Sequence, residues 1–324
     1  MQEKEAKEKK LAAKVARLYY EDGLSFLEIG DMLGISRQRC SRLLKKAREI
    51  GIVQIKILDQ GENRVPEYEQ YFLDHFTLKK VVVVEVFSDD SELIRKSVGE
   101  AGAKLLTSLL RPGMNIGVAY GRTLLNLVHY LKPNRNDISN LSIVQIMGGL
   151  SRISADVVAT EIPRRLAGAL NAQVYYLPAP AFTKDKKTRD AMLSDDTIQA
   201  TLSENLDVAL VGIGGVSLDS TLISTGAISA AEFAELKAKG AVGDIAGTYY
   251  DIDGNIVDFG GNQRRIAFSL EDLRQCQYVV GVAGGLEKEE TILGALRGKL
   301  INCLVVDNVT AQKIIDREMN NTRR

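Results

Sequence analysis

The sequence predicts an α/β protein in two parts: a winged helix-turn-helix over residues 1–59, then a doubly wound, Rossmann-like α/β domain over residues 60–324. Three observations carry this. Residues 18–46 read as two short helices around a glycine turn. From Lys80 onward, short apolar runs alternate with helical patterns. The formally neutral chain is also polarised: residues 1–60 hold 13 Lys and Arg against 9 Asp and Glu, leaving 29 against 33 for the rest. A basic end on an acidic body fits a small nucleic-acid module joined to a larger domain that binds something else.

A first helix is expected over Lys7 to Tyr20, with Leu11, Val15, Leu18 and Tyr19 as its apolar stripe. Ser25 and Glu28, three apart, predict a capping box opening a second helix. Ile29, Met32 and Leu33 follow at helical spacing, and Gly34 suits the left-handed stop. Ser36 then caps a third helix. In it Cys40, Leu43, Leu44 and Ala47 fall at i, i+3, i+4 and i+7 and share an apolar face. On the opposite face, at ~100° per residue, lie Gln38, Arg42 and Lys45. Arg39 and Lys46 flank that face, Ser41 sits on its other side, and Arg37 opens the helix. Ser36 to Arg48 holds six Lys or Arg and no acidic residue. Arg reads guanine O6 and N7 together, Gln reads adenine, and flanking cations meet phosphate, so the helix suits a major groove. The candidate DNA-contacting set is Ser36, Arg37, Gln38, Arg39, Ser41, Arg42, Lys45 and Lys46. A solvated amphipathic helix would instead carry balancing acids.

Gly51 ends that helix, and Ile52 to Leu58 alternates as a half-buried strand, the expected wing. Asp59 to Pro66, polar with Gly and Pro, marks the boundary. Tyr68, Tyr71, Phe72, His75 and Phe76 then stripe a helix, with His75 expected to be packed. Strands are expected at 81–86, 116–119, 142–146, 174–177, 208–213, 278–283 and 302–306, most of them continuous apolar runs, as when both faces are covered. A helix is expected over 92–110, and 249–257 reads as a β-hairpin turning at Asp253-Gly254-Asn255.

Ligands of open α/β sheets lie beyond the strands' carboxyl ends. Four such ends are glycine-rich: Tyr120-Gly-Arg-Thr123, Gly148-Gly-Leu-Ser151, Gly212-Ile-Gly-Gly215 and Gly281-Val-Ala-Gly-Gly285. Glycines at a helix start let backbone N–H groups approach an anion. Gly121, Arg122, Thr123, Gly148 and Gly149 are therefore candidate effector contacts. Asp244, able to accept from sugar hydroxyls, and Lys288, able to meet a phosphate, join them; each could equally be a surface charge or cap.

Other chemistries find no pattern. There is no P-loop, and Ser217 replaces the third glycine of a dinucleotide fingerprint. The run from Asp251 has Ile256 and Asn262 where a calcium loop needs Gly and Glu. Two histidines and three scattered cysteines, Cys40, Cys276 and Cys303, support neither a triad nor a metal site. No catalytic group, cofactor or metal is expected. Without a secretory signal or a membrane-length apolar run, a cytoplasmic location is expected.

The runs L-Y-Y-E-D-G-L-S, I-S-R-Q-R-C-S-R-L-L-K-K-A, G-V-A-Y-G-R-T, L-D-V-A-L-V-G-I-G, A-V-G-D-I, Y-Y-D-I-D-G-N, G-V-A-G-G-L-E-K and G-A-L-R-G-K-L-I-N-C-L-V-V-D, in that order, resemble the SorC family of bacterial transcriptional regulators. The resemblance spans about Leu11 to Ile315. It implies an effector domain similar in fold to sugar-phosphate isomerases and deaminases. It further implies a sugar, polyol or sugar-phosphate effector, double-stranded operator DNA as partner, and a homo-oligomer, dimer or tetramer. By position, Gly121 and Thr123 match the family's phosphate loop, and Asp244 and Lys288 match ligand contacts. Two departures are Arg122, where small residues are frequent, and Met147, where some relatives carry a lysine that holds an aldehyde sugar phosphate as a Schiff base. A thioether has no such chemistry, so non-covalent binding is expected, with Met147 packing against the sugar or a neighbouring strand. The alternative is an isomerase- or deaminase-like enzyme carrying a DNA module.

Overall fold

The computed structural model describes residues 2–53, 63–132, 138–150 and 159–322. Contacts divide the chain into two compact units, residues 1–62 and 63–324.

The first unit holds α1 (Gln2–Tyr20), α2 (Phe26–Leu33) and α3 (Arg37–Glu49). Local chemistry sets each boundary. Ser25 Oγ accepts from the Glu28 N–H while Glu28 Oε2 accepts from the Ser25 N–H, a reciprocal capping box. Gly34 ends α2 at φ +63°, donating to the Gly30 carbonyl. A side chain on Gly30 would stand 2.7 Å from the Ile35 carbonyl oxygen, so the turn closes tightly only over glycine. Ala12, Val15, Ala16, Ile29, Cys40, Leu43, Leu44 and Ala47 form the unit's core. Met32, at helical spacing with the buried Ile29, is 64% exposed, and Tyr19 lies at the rim stacked on Phe26. The expected wing strand lies from residue 54 on outside the described residues.

The second unit is built on a seven-stranded parallel sheet: β1 (Lys80–Val84), β2 (Asn115–Val118), β3 (Ser142–Gln145), β4 (Gln173–Tyr175), β5 (Val208–Gly212), β9 (Tyr278–Val282) and β10 (Cys303–Asp307). A small antiparallel sheet holds β6 (Gly214–Gly215), β7 (Gly243–Ile245) and β8 (Thr248–Tyr250). The helices are α4 (Pro66–His75), α5 (Ser91–Leu109), α6 (Arg122–Tyr130), α7 (Glu161–Leu170), α8 (Lys186–Leu193), α9 (Asp196–Leu202), α10 (Thr221–Ser224), α11 (Ala230–Ala238), α12 (Leu270–Arg274), α13 (Glu289–Arg297) and α14 (Asn308–Thr322).

The sheet order is β1-β10-β9-β5-β2-β3-β4. From β2 the chain moves outward through β3 to β4; from β5 it moves the other way through β9 to β10. Right-handed crossovers then place α5, α6 and α7 on one face and α13 on the other. The packing agrees, since α5 lies on α6, α6 on α7, and α13 on α14. The direction of winding reverses between β2 and β5, and a crevice opens at such a switch point beyond the strand ends.

Two expectations change. His75 is exposed, its ring stacked on Tyr71 with centroids 3.9 Å apart, while Phe72 fills the core. The principal hairpin joins β7 to β8 and turns at Ala246 and Gly247, both at positive φ (49° and 74°), as a two-residue turn requires. The expected hairpin at 249–257 survives as one bridge, Tyr250 to Ile256, with Gly254 at φ +81°. Asp251 supports that turn by accepting from the N–H groups of Asp253 and Asn255.

Candidate functional site

On α3 the capping hydroxyl of Ser36 accepts from the Arg39 N–H at 3.2 Å. Cys40, Leu43, Leu44 and Ala47 are buried, which fixes the helix's rotation. Arg37, Gln38, Arg39, Ser41, Arg42 and Lys45 are all exposed as a result. Arg37, Gln38, Ser41 and Arg42 line a shallow groove with Phe26 of α2. Lys45 keeps only a loose, exposed pair with Glu49 at 3.9 Å, whereas the Lys46 ammonium donates to Glu8 of α1 at 2.6 Å. Placed beside the apolar face rather than opposite it, Lys46 ties α3 to α1, so its charge is partly neutralised.

In the second unit a cavity of about 430 Å³ lies at the switch point between β2 and β5. Tyr120 and Gly121 line it from the end of β2, Gly212 and Ile213 from the end of β5, and Asp244 from β7. Gly284, Glu287 and Lys288 reach it from the loop after β9, and Ser217, Asp219 and Ser220 from the loop after β6. Of the expected effector contacts, Gly121, Arg122, Thr123, Asp244 and Lys288 meet here.

Gly148 and Gly149 do not border the cavity. The Gly148 N–H donates to the Ile266 carbonyl and the Gly149 N–H to the Ala179 carbonyl, so neither donor is left for an anion. A Cβ at Gly148 would stand 2.5 Å from the Pro180 backbone, so this glycine answers a packing need. Met147, one residue earlier, does line the cavity, and its methyl packs against the β7–β8 turn at Gly247.

Asp244 is 8% exposed. Its Oδ2 accepts from the Gly247 N–H at 3.0 Å. A Cβ on Gly214, its neighbour across the small sheet, would stand 2.0 Å from Oδ1, so only glycine leaves room for the carboxylate. Burial pushes the Asp244 carboxyl up to about 6, against the opposing pull of the Gly247 N–H and the Lys288 and Arg265 charges. Lys288 Nζ donates to the Ile213 carbonyl at 3.1 Å. Burial lowers its proton affinity, Asp244 and Glu287 raise it, and Arg122 and Arg95 lower it again. Arg265, whose own affinity burial lowers to about 10, braces the turn behind Asp244 by donating to the Ala246 and Phe268 carbonyls.

The cavity therefore has two characters. Arg122 and Arg95 both lie close enough to act on Lys288, although Arg95 is paired with Glu92 at 3.0 Å and Glu287 borders the same part of the cavity. Helix α6 begins at Arg122 with no side-chain cap, its first N–H groups and the positive end of its dipole at the cavity. The other part is hydroxylic and carboxylic: Tyr120, Ser220 and Asp244. Arg95 and Ser220 sit in no motif, and Tyr120, though it opens the loop Tyr120-Gly-Arg-Thr123, is not among the expected contacts; the three converge only through the fold. Among the described residues no cluster of metal-ligating side chains occurs, and no helix is long and apolar enough to cross a membrane.

Comparison with known proteins gives the same division. A sugar-binding domain family model matches residues 63–316, and the sigma-70 region 4 model matches residues 12–49. The full-length sorbitol operon regulator SorC of Klebsiella pneumoniae superposes with a TM-score of 0.74 at 34% identity, covering 94% of this chain and 98% of that one. The deoxyribonucleoside regulator of Bacillus subtilis is 30% identical over 94% of this chain and 97% of its own length. The transcriptional regulator LsrR of Enterobacter sp. is 32% identical over 95% and 93%. These relatives are regulators, and the enzyme alternative finds no support among them. With a sugar-binding match over most of its length and a helix-turn-helix ahead of it, the chain belongs to the SorC family of sugar-binding transcriptional regulators.

Proposed function

We propose that α3 reads a double-stranded operator of a carbohydrate-utilisation operon, and that a sugar, polyol or sugar phosphate held non-covalently at the β2–β5 crevice shifts the chain between states of different operator affinity. The DNA-binding region comprises residues 1–59 and the effector-binding region residues 60–324. Arg42 and Gln38 read bases, Arg37, Arg39, Ser41 and Lys45 meet phosphate or sugar, and Ser36 fixes the helix start. Lys46 contributes mainly by holding α3 on α1.

The observation that carries the reading is the two-sided cavity. A cluster of Lys288, Arg122 and Arg95 at an uncapped helix start suits an anionic group. The adjacent carboxylate of Asp244 suits hydroxyls. The volume, about 430 Å³, falls within the roughly 300–1,000 Å³ of small-molecule sites. One recognition helix covers a half-site, so a two-fold assembly, dimer or tetramer, supplies the second reader. Cytoplasmic residence follows from that partner.

The test selects a duplex from a random pool with the full-length chain, then titrates it by fluorescence anisotropy with and without sugar phosphates that raise the melting temperature. A tenfold or larger change in operator affinity supports the reading. Ligands that stabilise the protein yet leave operator affinity unchanged contradict it.

A further inference from the structure

Five buried side-chain polar atoms have no protein partner among the described residues: the hydroxyls of Tyr120, Ser220, Thr248 and Tyr249, and Gln145 Oε1. Native proteins leave few such atoms unpaired, and each asks for a reason. Two of the five, Tyr120 Oη and Ser220 Oγ, belong to residues bordering the cavity. They arrive from different connections, the end of β2 and the loop after β6. Asp244 arrives from a third, β7, and while its Oδ2 is bonded to the Gly247 N–H, its Oδ1 has no protein donor among the described residues. Asp244 and Tyr120 are near enough for the carboxylate charge to oppose ionisation of the phenol. Two shielded hydroxyls on residues that border one cavity, and one carboxylate oxygen of a third, therefore have unspent bonding capacity.

We infer that Tyr120, Ser220 and Asp244 form a hydroxyl-reading wall, so that the effector is a sugar or polyol fully hydroxylated at the end away from its anionic group, and deoxy analogues are rejected. This rests on the reading of the cavity as the effector site. The chemistry is complementary: an ionised carboxylate only accepts, while the two protein hydroxyls donate and accept. A ligand hydroxyl donating to Asp244 and accepting from Tyr120 satisfies both at once. A ligand with hydrogen in that place desolvates them and leaves both unpaired. Sites built to bond a hydroxyl discriminate far more strongly than apolar pockets of equal size. The preference for the hydroxylated member of a matched pair is thus on the order of 100-fold or more.

The experiment uses the full-length chain and matched probes: D-ribose 5-phosphate with 2-deoxy-D-ribose 5-phosphate, and D-glucose 6-phosphate with 2-deoxy-D-glucose 6-phosphate. Calorimetry gives affinities, and ligand-dependent melting gives a second measure. The expected result is that the hydroxylated member of at least one pair binds on the order of 100-fold more tightly. Tyr120→Phe shrinks that ratio about tenfold or more, while its melting temperature without ligand is unchanged or higher, because an unpaired buried hydroxyl has gone. Tyr249→Phe, which removes an equally buried hydroxyl from a residue that does not border the cavity, keeps the ratio. A deoxy member that binds as well as its partner overturns the inference, as does an unchanged ratio in Tyr120→Phe. Failure of every probe to bind also overturns it. Operator affinity, measured with the same probes, separates the two readings. Equal response to hydroxylated and deoxy ligands sinks the hydroxyl wall and leaves the regulator reading. Selective binding without any change in operator affinity sinks the regulator reading and leaves the wall.

Discussion

Asp244 gives the sharpest handle on the cavity, because burial makes it a stability burden that ligand binding would relieve. Its carboxyl is lifted from an ordinary 3.8 to about 6. At 1.36 kcal/mol per pK unit, keeping it ionised in the folded state costs roughly 3 kcal/mol at neutral pH. The folded-state value lies above the unfolded one, so the folded chain holds this proton more tightly between about pH 4 and 6. Stability from this group is therefore present in full below that window and is lost as pH rises through 6. Asp244→Asn keeps an oxygen to accept from the Gly247 N–H but never carries the charge. Without ligand, the variant's larger unit is expected to be more stable than wild type at pH 7.5 by about 3 kcal/mol, or roughly 6–10 °C in melting temperature for a unit of this size. The advantage falls by about half at pH 5, where much of the wild-type carboxyl is protonated. Effector response is lost at both. Thermal and urea unfolding of both proteins across pH 5 to 8 check this. A variant less stable than wild type by the same margin at both pH values would refute the argument, because the carboxylate would then be a structural bond rather than a desolvated ligand group.

Arg42→Ala is expected to lose about 1–3 kcal/mol of discrimination between the selected duplex and a scrambled one, read by competition anisotropy, with the effector unit's melting unchanged. Lys45→Ala is expected to weaken binding to all sequences alike and to lower the salt slope by about one ion. Lys46→Ala, paired with Glu8, is expected to change DNA binding less and to cost at most about 1 kcal/mol of stability, since the pair is partly exposed; a larger salt-slope change at Lys46 than at Lys45 would reverse the assignment. Gly214→Ala is expected to abolish calorimetric effector binding, because the new methyl would lie 2.0 Å from Asp244 Oδ1; full binding in that variant would place the carboxylate elsewhere. Borohydride treatment of the saturated complex is expected to leave the intact mass unchanged, since Met147 offers no amine; a stoichiometric adduct on Lys288 would overturn non-covalent binding.

The seven parallel strands were legible because buried parallel strands announce themselves as apolar runs, Val81–Val84 and Val208–Val211 above all. The helix-turn-helix was legible because its boundaries are local: Ser25, Gly34 and Ser36 act within four residues of themselves. What failed was long-range. Gly148 resembles an anion-binding glycine until the Ile266 and Ala179 carbonyls take up the donors at Gly148 and Gly149. Lys46 looks like a phosphate contact until Glu8, 38 residues away, is found beside it. Met32 fits the helical period yet points outward. Ser220 carries no motif, and the motif around Tyr120 points to its glycine and threonine rather than to the phenol; the significance of both lies in hydroxyls that find no protein partner among the described residues, a property of the folded chain alone.

The central claim is that operator and effector bind one chain with coupled free energies, and linkage makes this testable without knowing how the coupling travels. Effector affinity is measured by calorimetry on the full-length chain, free and saturated with the selected duplex, and operator affinity is measured with and without effector. If the coupling is real, the two ratios are equal and differ from one by about 5–150-fold, and both fall to one in Asp244→Asn. Ratios of one in the wild-type chain, for a ligand shown to bind at the β2–β5 crevice, would contradict the account.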